Sequence, residues 1–327
     1  MISKKWLLAV GCSGLLAFGV AACGDDDDDS TTSDGGDTPT GLSGSIAIDG
    51  SSTVEPFAQA AAELFNEENP EVEISVGASG TGGGFEKFCV GDTQISDASR
   101  PIDEKEEVPI CEENKIEYTE IQVANDGIAV ATNPALEISC LTTDQLAQLW
   151  TDDKVKNYSD LGDDADTGEP LPDAEISLYG PGTDSGTFDY FTDVINGEEG
   201  LSRSDYQPSE DDNQLVTGVA GDEAALGYFG FSYYEQNADQ LNLVSVDSGD
   251  GCIAPSSETI QSGEYAPLSR PLFMYPNNAE LSDEPLGGFM QYTVDNYDTI
   301  AEAALIVPMD DTQAGDASSA LEGALGS

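Results

Sequence analysis

Three times in this chain a β-like segment runs into a turn of Ser, Thr and Gly that opens a helix: Gly50-Ser51-Ser52-Thr53, Ser79-Gly80-Thr81-Gly82 and Asp184-Ser185-Gly186-Thr187. The first turn of a helix carries unpaired N–H groups and a partial positive charge. Glycine lets an anion come close to the backbone, and hydroxyls add further donors. One such turn is adequately explained by N-capping. Three in one chain point to donors converging on a tetrahedral oxyanion. None of the three has the Walker lysine pattern or a well-placed dinucleotide motif, so a nucleotide is not indicated.

The segments between the turns repeat the same grammar. Gly44–Gly50 reads as a strand, and Phe57, Ala60, Ala61, Leu64 and Phe65 follow Pro56 at helical spacing, up to Asn69-Pro70. Glu71–Gly77 alternates as a strand. The Gly-rich turn then opens a helix bearing Phe85 and Phe88, followed by a short strand near Ile95–Arg100. Ile116–Val123 and Gly127–Thr132 read as two strands, Leu141 begins a Thr-capped helix, and Ile176–Tyr179 precedes the third turn. Leu226–Gly230, Leu243–Val246 and Leu268–Tyr275 are strand-like, and Gly287–Ile306 reads as one long helix. Strand, turn and helix in alternation give an α/β class. Tyr228, Phe229, Phe231, Tyr233 and Tyr234 are expected to pack in a core or interface, and Arg270 to form a structural salt bridge.

The amino terminus is a targeting segment. Lys4 and Lys5 precede an apolar run from Trp6 to Ala22, which falls short of the roughly 20 apolar residues of a bilayer span. Val20-Ala21-Ala22-Cys23 resembles a bacterial lipobox, implying cleavage after residue 22 and a lipid on Cys23. Residues 23–44 carry five consecutive Asp at 25–29 and hold little to bury, so they are expected to act as an acidic, disordered tether. Of six Cys, Cys12 leaves with the signal. Cys89, Cys111, Cys140 and Cys252 remain for disulfides in an exported chain. Three pairings exist, and Cys89–Cys111 with Cys140–Cys252 is the preferred one.

Composition removes several functions. Sixty-four acidic against 10 basic residues give a net charge of −54, which excludes a nucleic-acid partner. There is no His, so no Ser-His-Asp triad, and no CxxC to suggest zinc. Acidic residues are spread without a compact metal loop. The chain reads as a non-enzyme without cofactor or metal.

The segments Asp49–Val54, Gly77–Phe85, Ser96–Pro101 and Asp184–Thr187, with Tyr265–Phe273, resemble in order and spacing the phosphate-binding lipoprotein of the high-affinity phosphate ABC importer, the PstS family. The likeness covers roughly residues 45–305. It implies a two-lobed, type II periplasmic-binding-protein fold, with two mixed sheets flanked by helices and the ligand in the interlobe cleft. Lobe one is expected at 45–128 plus 252–327 and lobe two at 129–251. The resemblance implies an extracytoplasmic, lipid-anchored monomer that binds inorganic phosphate and serves a membrane-embedded ABC permease. The alternative is another oxyanion, sulfate or molybdate, or a role as a phosphate sensor.

Site residues carry over one by one: Thr53 and Val54 with neighbouring Ser52 at the first helix start, Ser79 in the Gly-rich turn, and Ser185, Gly186 and Thr187 in the third. Two positions depart. Many members have Asp where this chain has Ser99, and Arg where it has Pro181. The family's Asp accepts a hydrogen bond from protonated phosphate, and the Arg supplies charge. Arg100, beside Ser99, is expected to replace that charge. Asp97, Asp126, Asp184 and Asp212 are the candidates for the acceptor.

Overall fold

A computed structural model describes residues 41–326. The expected signal segment and Cys23 lie outside the described residues.

Chain order begins with β1 (Ser43–Gly50), α1 (Glu55–Glu68), β2 (Glu71–Gly77), α2 (Thr81–Phe88), β3 (Ile95–Ala98), α3 (Val108–Asn114) and β4 (Ile121–Thr132). It continues with β5 (Cys140–Thr142), α4 (Thr143–Thr151), β6 (Ser177–Pro181), α5 (Gly186–Val194), β7 (Gln207–Ser209), α6 (Asp212–Gly221), β8 (Ala225–Gly230), α7 (Phe231–Gln236), β9 (Asn242–Asp247) and β10 (Cys252–Ile253). It closes with α8 (Ser257–Gln261), β11 (Ser269–Pro276), α9 (Glu284–Asp295), α10 (Tyr297–Ala304) and α11 (Asp311–Leu325).

The strands form one curled 11-stranded mixed sheet whose two parts, a first and a second sheet, share β4. In the first, β2, β1 and β3 run parallel and β11 pairs antiparallel to both β3 and β4. In the second, the later half of β4 pairs antiparallel with β8 and β9, and β6 and β7 extend from β8 in parallel. The partner of β4 changes from β11 at Gly127 to β8 at Ile128, so one strand passes from sheet to sheet. By sequence alone this strand reads as two, Ile116–Val123 and Gly127–Thr132. The Asn-Asp-Gly in its middle looks like a turn locally, but pairing on both sides keeps it extended.

Each sheet has its own core. Phe57, Phe65, Phe289, Met274 and Leu321 are buried in the first, while Trp150, Tyr158, Phe191 and Tyr228 fill the second. Phe191 and Tyr228 stack at 3.8 Å and Trp150 meets Tyr228 edge-on at 4.7 Å, which agrees with the packing role expected for that aromatic run. The return of the chain to the first sheet comes later than residue 252. β10 is bonded to β9, and Ile260, Tyr265 and Leu268 pack in the second core, so the first sheet is rejoined only at β11.

The single helix expected over 287–306 is two. Asn296, at φ −119°, separates α9 from α10, and its side-chain amide donates to the carbonyl of Tyr292. The bend lets both helices lie on the first core. The disulfides are Cys89–Cys111 and Cys140–Cys252, the preferred pairing. Among the described residues no helix is long and apolar enough to cross a membrane.

Candidate functional site

Two of the Ser/Thr/Gly turns lie on the first sheet and the third on the second, and the fold brings them to one cleft. The cavity is about 600 Å³ and is lined by Ser51–Thr53 before α1, Ser79–Gly83 at the start of α2, Ser99–Pro101 after β3, Gly186, Tyr190 and Asp189 on α5, and Arg270 and Pro271 on β11. β1 and β3 end side by side, with the N–H of Ser51 donating to the carbonyl of Asp97 at 3.0 Å, which places the first and third segments together. α2 reaches the same edge because Gly84 packs on Gly50. A Cβ at position 84 would lie 2.5 Å from the Gly50 Cα.

The starts of α5 and α1 meet at Gly186. A Cβ there would fall 2.6 Å from both Ser52 Oγ and Thr53 Oγ1, so only glycine lets the start of α5 face the start of α1 at this distance. Ser185 caps α5, its Oγ accepting the N–H of Thr187 at 3.2 Å. Val54 is fully buried and its N–H donates to the Ser51 carbonyl. Thus Ser52, Thr53, Ser79, Ser99, Arg100 and Gly186 line the cleft, whereas Val54, Ser185 and Thr187 sit behind it as helix-start framework.

Both arginines have partners that spacing along the chain does not reveal. Arg100 lines the cleft, but its guanidinium makes a paired contact with Glu107, Nη1 to Oε2 at 2.9 Å and Nη2 to Oε1 at 2.7 Å. That carboxylate holds the Arg100 proton more tightly than usual and neutralises its charge. Arg270 makes the salt bridge expected of it, Nε to Asp126 Oδ2 at 3.2 Å, and does more. Its Nη2 donates to Thr53 Oγ1 at 2.7 Å, and its guanidinium lies 3.6 Å from the Tyr190 ring. Tyr190 belongs to α5 and its hydroxyl donates toward the carbonyls of Pro267, at 2.5 Å, and Ser269, at 3.1 Å, so an aromatic from the second sheet fixes the chain leading into the strand that carries Arg270. The sequence signal was there: Arg270 is one of 10 basic residues and stands in the Tyr265–Phe273 segment.

None of the four carboxylates singled out for the acceptor role lines the cavity. Asp97 is buried with both oxygens unpartnered, and burial with nearby Asp49 and Glu55 raises its pKa well above the ordinary carboxylate value. Asp126 is taken by Arg270 and Asp184 is exposed at the turn. Asp212 accepts from the N–H of Gly230 at 3.4 Å, and burial pushes its pKa up to about 6. The carboxylates on the wall are Asp189, Asp193 and Glu199. Burial raises Asp189 above the ordinary value, with Glu199 adding to this and Arg270 opposing it.

The cleft therefore offers hydroxyls, helix-start amides and one guanidinium whose hydrogen-bonding edge reaches a cleft hydroxyl. It suits a small anion held by short-range contacts.

Comparison with known proteins agrees with this geometry. The family described as "PBP superfamily domain" matches residues 35–296. Protein SphX of a Synechocystis species is 42% identical over 297 residues, covering 90% of this chain and 83% of SphX. The phosphate-binding protein PstS of Staphylococcus saprophyticus is 36% identical over 312 residues, 94% of this chain and 91% of PstS. The crystal structure of a possible phosphate binding protein from Planctomyces limnophilus superposes with a TM-score of 0.79 at 43% identity, covering 87% of this chain and 99% of that one. With a superfamily match across most of its length and these relatives covered nearly end to end, the chain belongs to the PBP superfamily of solute-binding proteins and, within it, to the PstS family.

Proposed function

We propose that this protein captures inorganic phosphate in the cleft between its lobes and delivers it to an ABC permease. The observation that carries the reading is the meeting of the α1, α2 and α5 starts with Arg270 in one cavity. Thr53, Ser79 and Gly186 would meet the ligand from three directions, with Ser52 and Ser99 alongside. Arg270 would supply the charge that other members draw from the position held here by Pro181. Arg100 would border the site with its charge balanced by Glu107. We assign residues 43–127 and 269–327 to lobe one and 128–268 to lobe two, following the sheets and cores. Ligand contacts to both lobes would favour the closed state.

The chain would be exported, cleaved after residue 22 and lipidated at Cys23, with the residues from 23 up to the start of β1 at Ser43 as its tether to the extracytoplasmic face of the membrane. It would act as a monomeric carrier, without catalysis.

Calorimetric titration of the purified protein with phosphate, arsenate, sulfate and molybdate tests the reading. Phosphate is expected to bind tightly and sulfate weakly. Sulfate binding as tightly as phosphate would sink the assignment.

A further inference from the structure

The cleft needs a hydrogen-bond acceptor if it is to tell a protonated oxyanion from a fully ionised one, and Ser99 stands where the resemblance puts an Asp. Resting on the phosphate reading, we propose that Ser79, its own proton held by Asp49, is that acceptor, and that Lys87 is the counter-ion that permits it.

The geometry fixes the direction of each bond. Ser79 donates both its N–H, at 3.2 Å, and its hydroxyl to Asp49 Oδ1. Lys87 Nζ donates to the other carboxylate oxygen, Oδ2, at 2.6 Å. Burial raises the Asp49 pKa, but Lys87 and Ser79 outweigh it and the net displacement is downward. An ionised carboxylate has no proton to give, so the proton between Ser79 and Asp49 is the serine's. A hydroxyl has one proton and two lone pairs. With the proton committed to Asp49, only lone pairs of Ser79 remain for the cavity it lines.

The other hydroxyls differ. Thr53 Oγ1 accepts from Arg270 and so keeps its proton for the cleft. Thr81 Oγ1 accepts the N–H of Ser99 at 3.3 Å and lies 3.1 Å from Ser99 Oγ, so these two engage each other. Asp49 does not line the cavity and its side chain is only 13% exposed, so the ligand meets the serine and not the carboxylate. Its negative charge is balanced by Lys87 from the last turn of α2, which removes the repulsion an anion would otherwise meet. Asp49 is thus a positioning residue and Ser79 a specificity-determining one.

The test is the phosphate-to-sulfate affinity ratio, by calorimetry, for the wild type, Asp49→Asn and Ser79→Ala. Asparagine can donate to Ser79 Oγ, which releases the serine proton toward the cleft. Asp49→Asn is expected to lower the ratio ~10-fold or more, with sulfate gaining affinity, because a polar group left facing a mismatched ligand is what enforces such selectivity. Ser79→Ala is expected to lower the ratio through loss of phosphate affinity alone. Ser79 is exposed, so this variant decides the matter even if Asp49→Asn does not fold. A wild-type ratio in the folded variants, with phosphate still bound, overturns the inference and moves the acceptor to the α5 wall of Asp189 and Asp193. A wild type that does not bind phosphate removes the functional reading first, and this inference with it.

Discussion

Arg270 has contacts to three different segments: Asp126 on β4, Thr53 before α1 and the ring of Tyr190 on α5. Replacing it with Ala should weaken phosphate binding roughly 10- to 100-fold, the scale of a lost charge-assisted hydrogen bond. Arg100→Ala should cost clearly less, because the Arg100 charge is already spent on Glu107. Calorimetry on the two variants separates these roles, and equal losses would show that Arg100 contacts ligand directly. Gly186→Ala should weaken binding by at least ~10-fold, since the new methyl would overlap Ser52 and Thr53 and force the lobes apart. Asp212 gives a pH signature. Its carboxyl titrates near 6 in the fold against roughly 4 in the unfolded chain, so the folded state is favoured while it is protonated. Its contribution is therefore lost as pH rises from about 4 to about 6 and stays lost above. Asp212→Asn should stabilise the protein at pH 7.5 by roughly 1–2 kcal/mol and leave stability at pH 4 nearly unchanged, as denaturant unfolding would show.

The elements depend on packing to different degrees. α4 was readable from sequence because Thr142 and Gln145 form a reciprocal cap, with the Gln145 N–H on Thr142 Oγ1 at 3.1 Å. β4 was not readable as one strand, because the force holding Asn125–Ile128 extended comes from β11, Val307 and Leu268, all more than 100 residues away in sequence. The disulfides act at this scale as well. Cys140–Cys252 joins β5 to β10 across 112 residues, whereas Cys89–Cys111 spans 22. In the chain-entropy picture, replacing both cysteines of the longer loop by Ser should cost about 4–5 kcal/mol, against about 3 for the shorter one. Unfolding the two double variants in denaturant would reverse this expectation if the shorter link proved the costlier.

At the scale of the molecule, an anion-binding site sits on a chain of net charge −54. Long-range attraction cannot help capture, and the field opposes approach until salt screens it; the Debye length is about 8 Å at physiological ionic strength. The phosphate association rate should therefore rise with added salt, the reverse of an electrostatically steered pair. Stopped-flow rates that fall with salt would show that the cleft has a local positive field strong enough to reverse the whole. Closure is the second molecular expectation. Phosphate should reduce the radius of gyration in solution scattering, and no change on saturation would argue against lobe movement.

The α/β class, the donor-rich helix starts and the exclusion of triad chemistry followed from the sequence itself. They depend on local propensity, on backbone groups left free at helix ends and on residue types simply missing. What only the tertiary structure decided was which residues meet. Whether Arg100 or Arg270 offers its charge to the cleft depends on Glu107 lying against one and Thr53 against the other. Whether Ser79 gives or receives a hydrogen bond depends on Asp49, 30 residues earlier, at the end of an adjacent strand. Hydrogen-bond direction and charge balance belong to pairs brought together by folding, and spacing along a chain does not specify them.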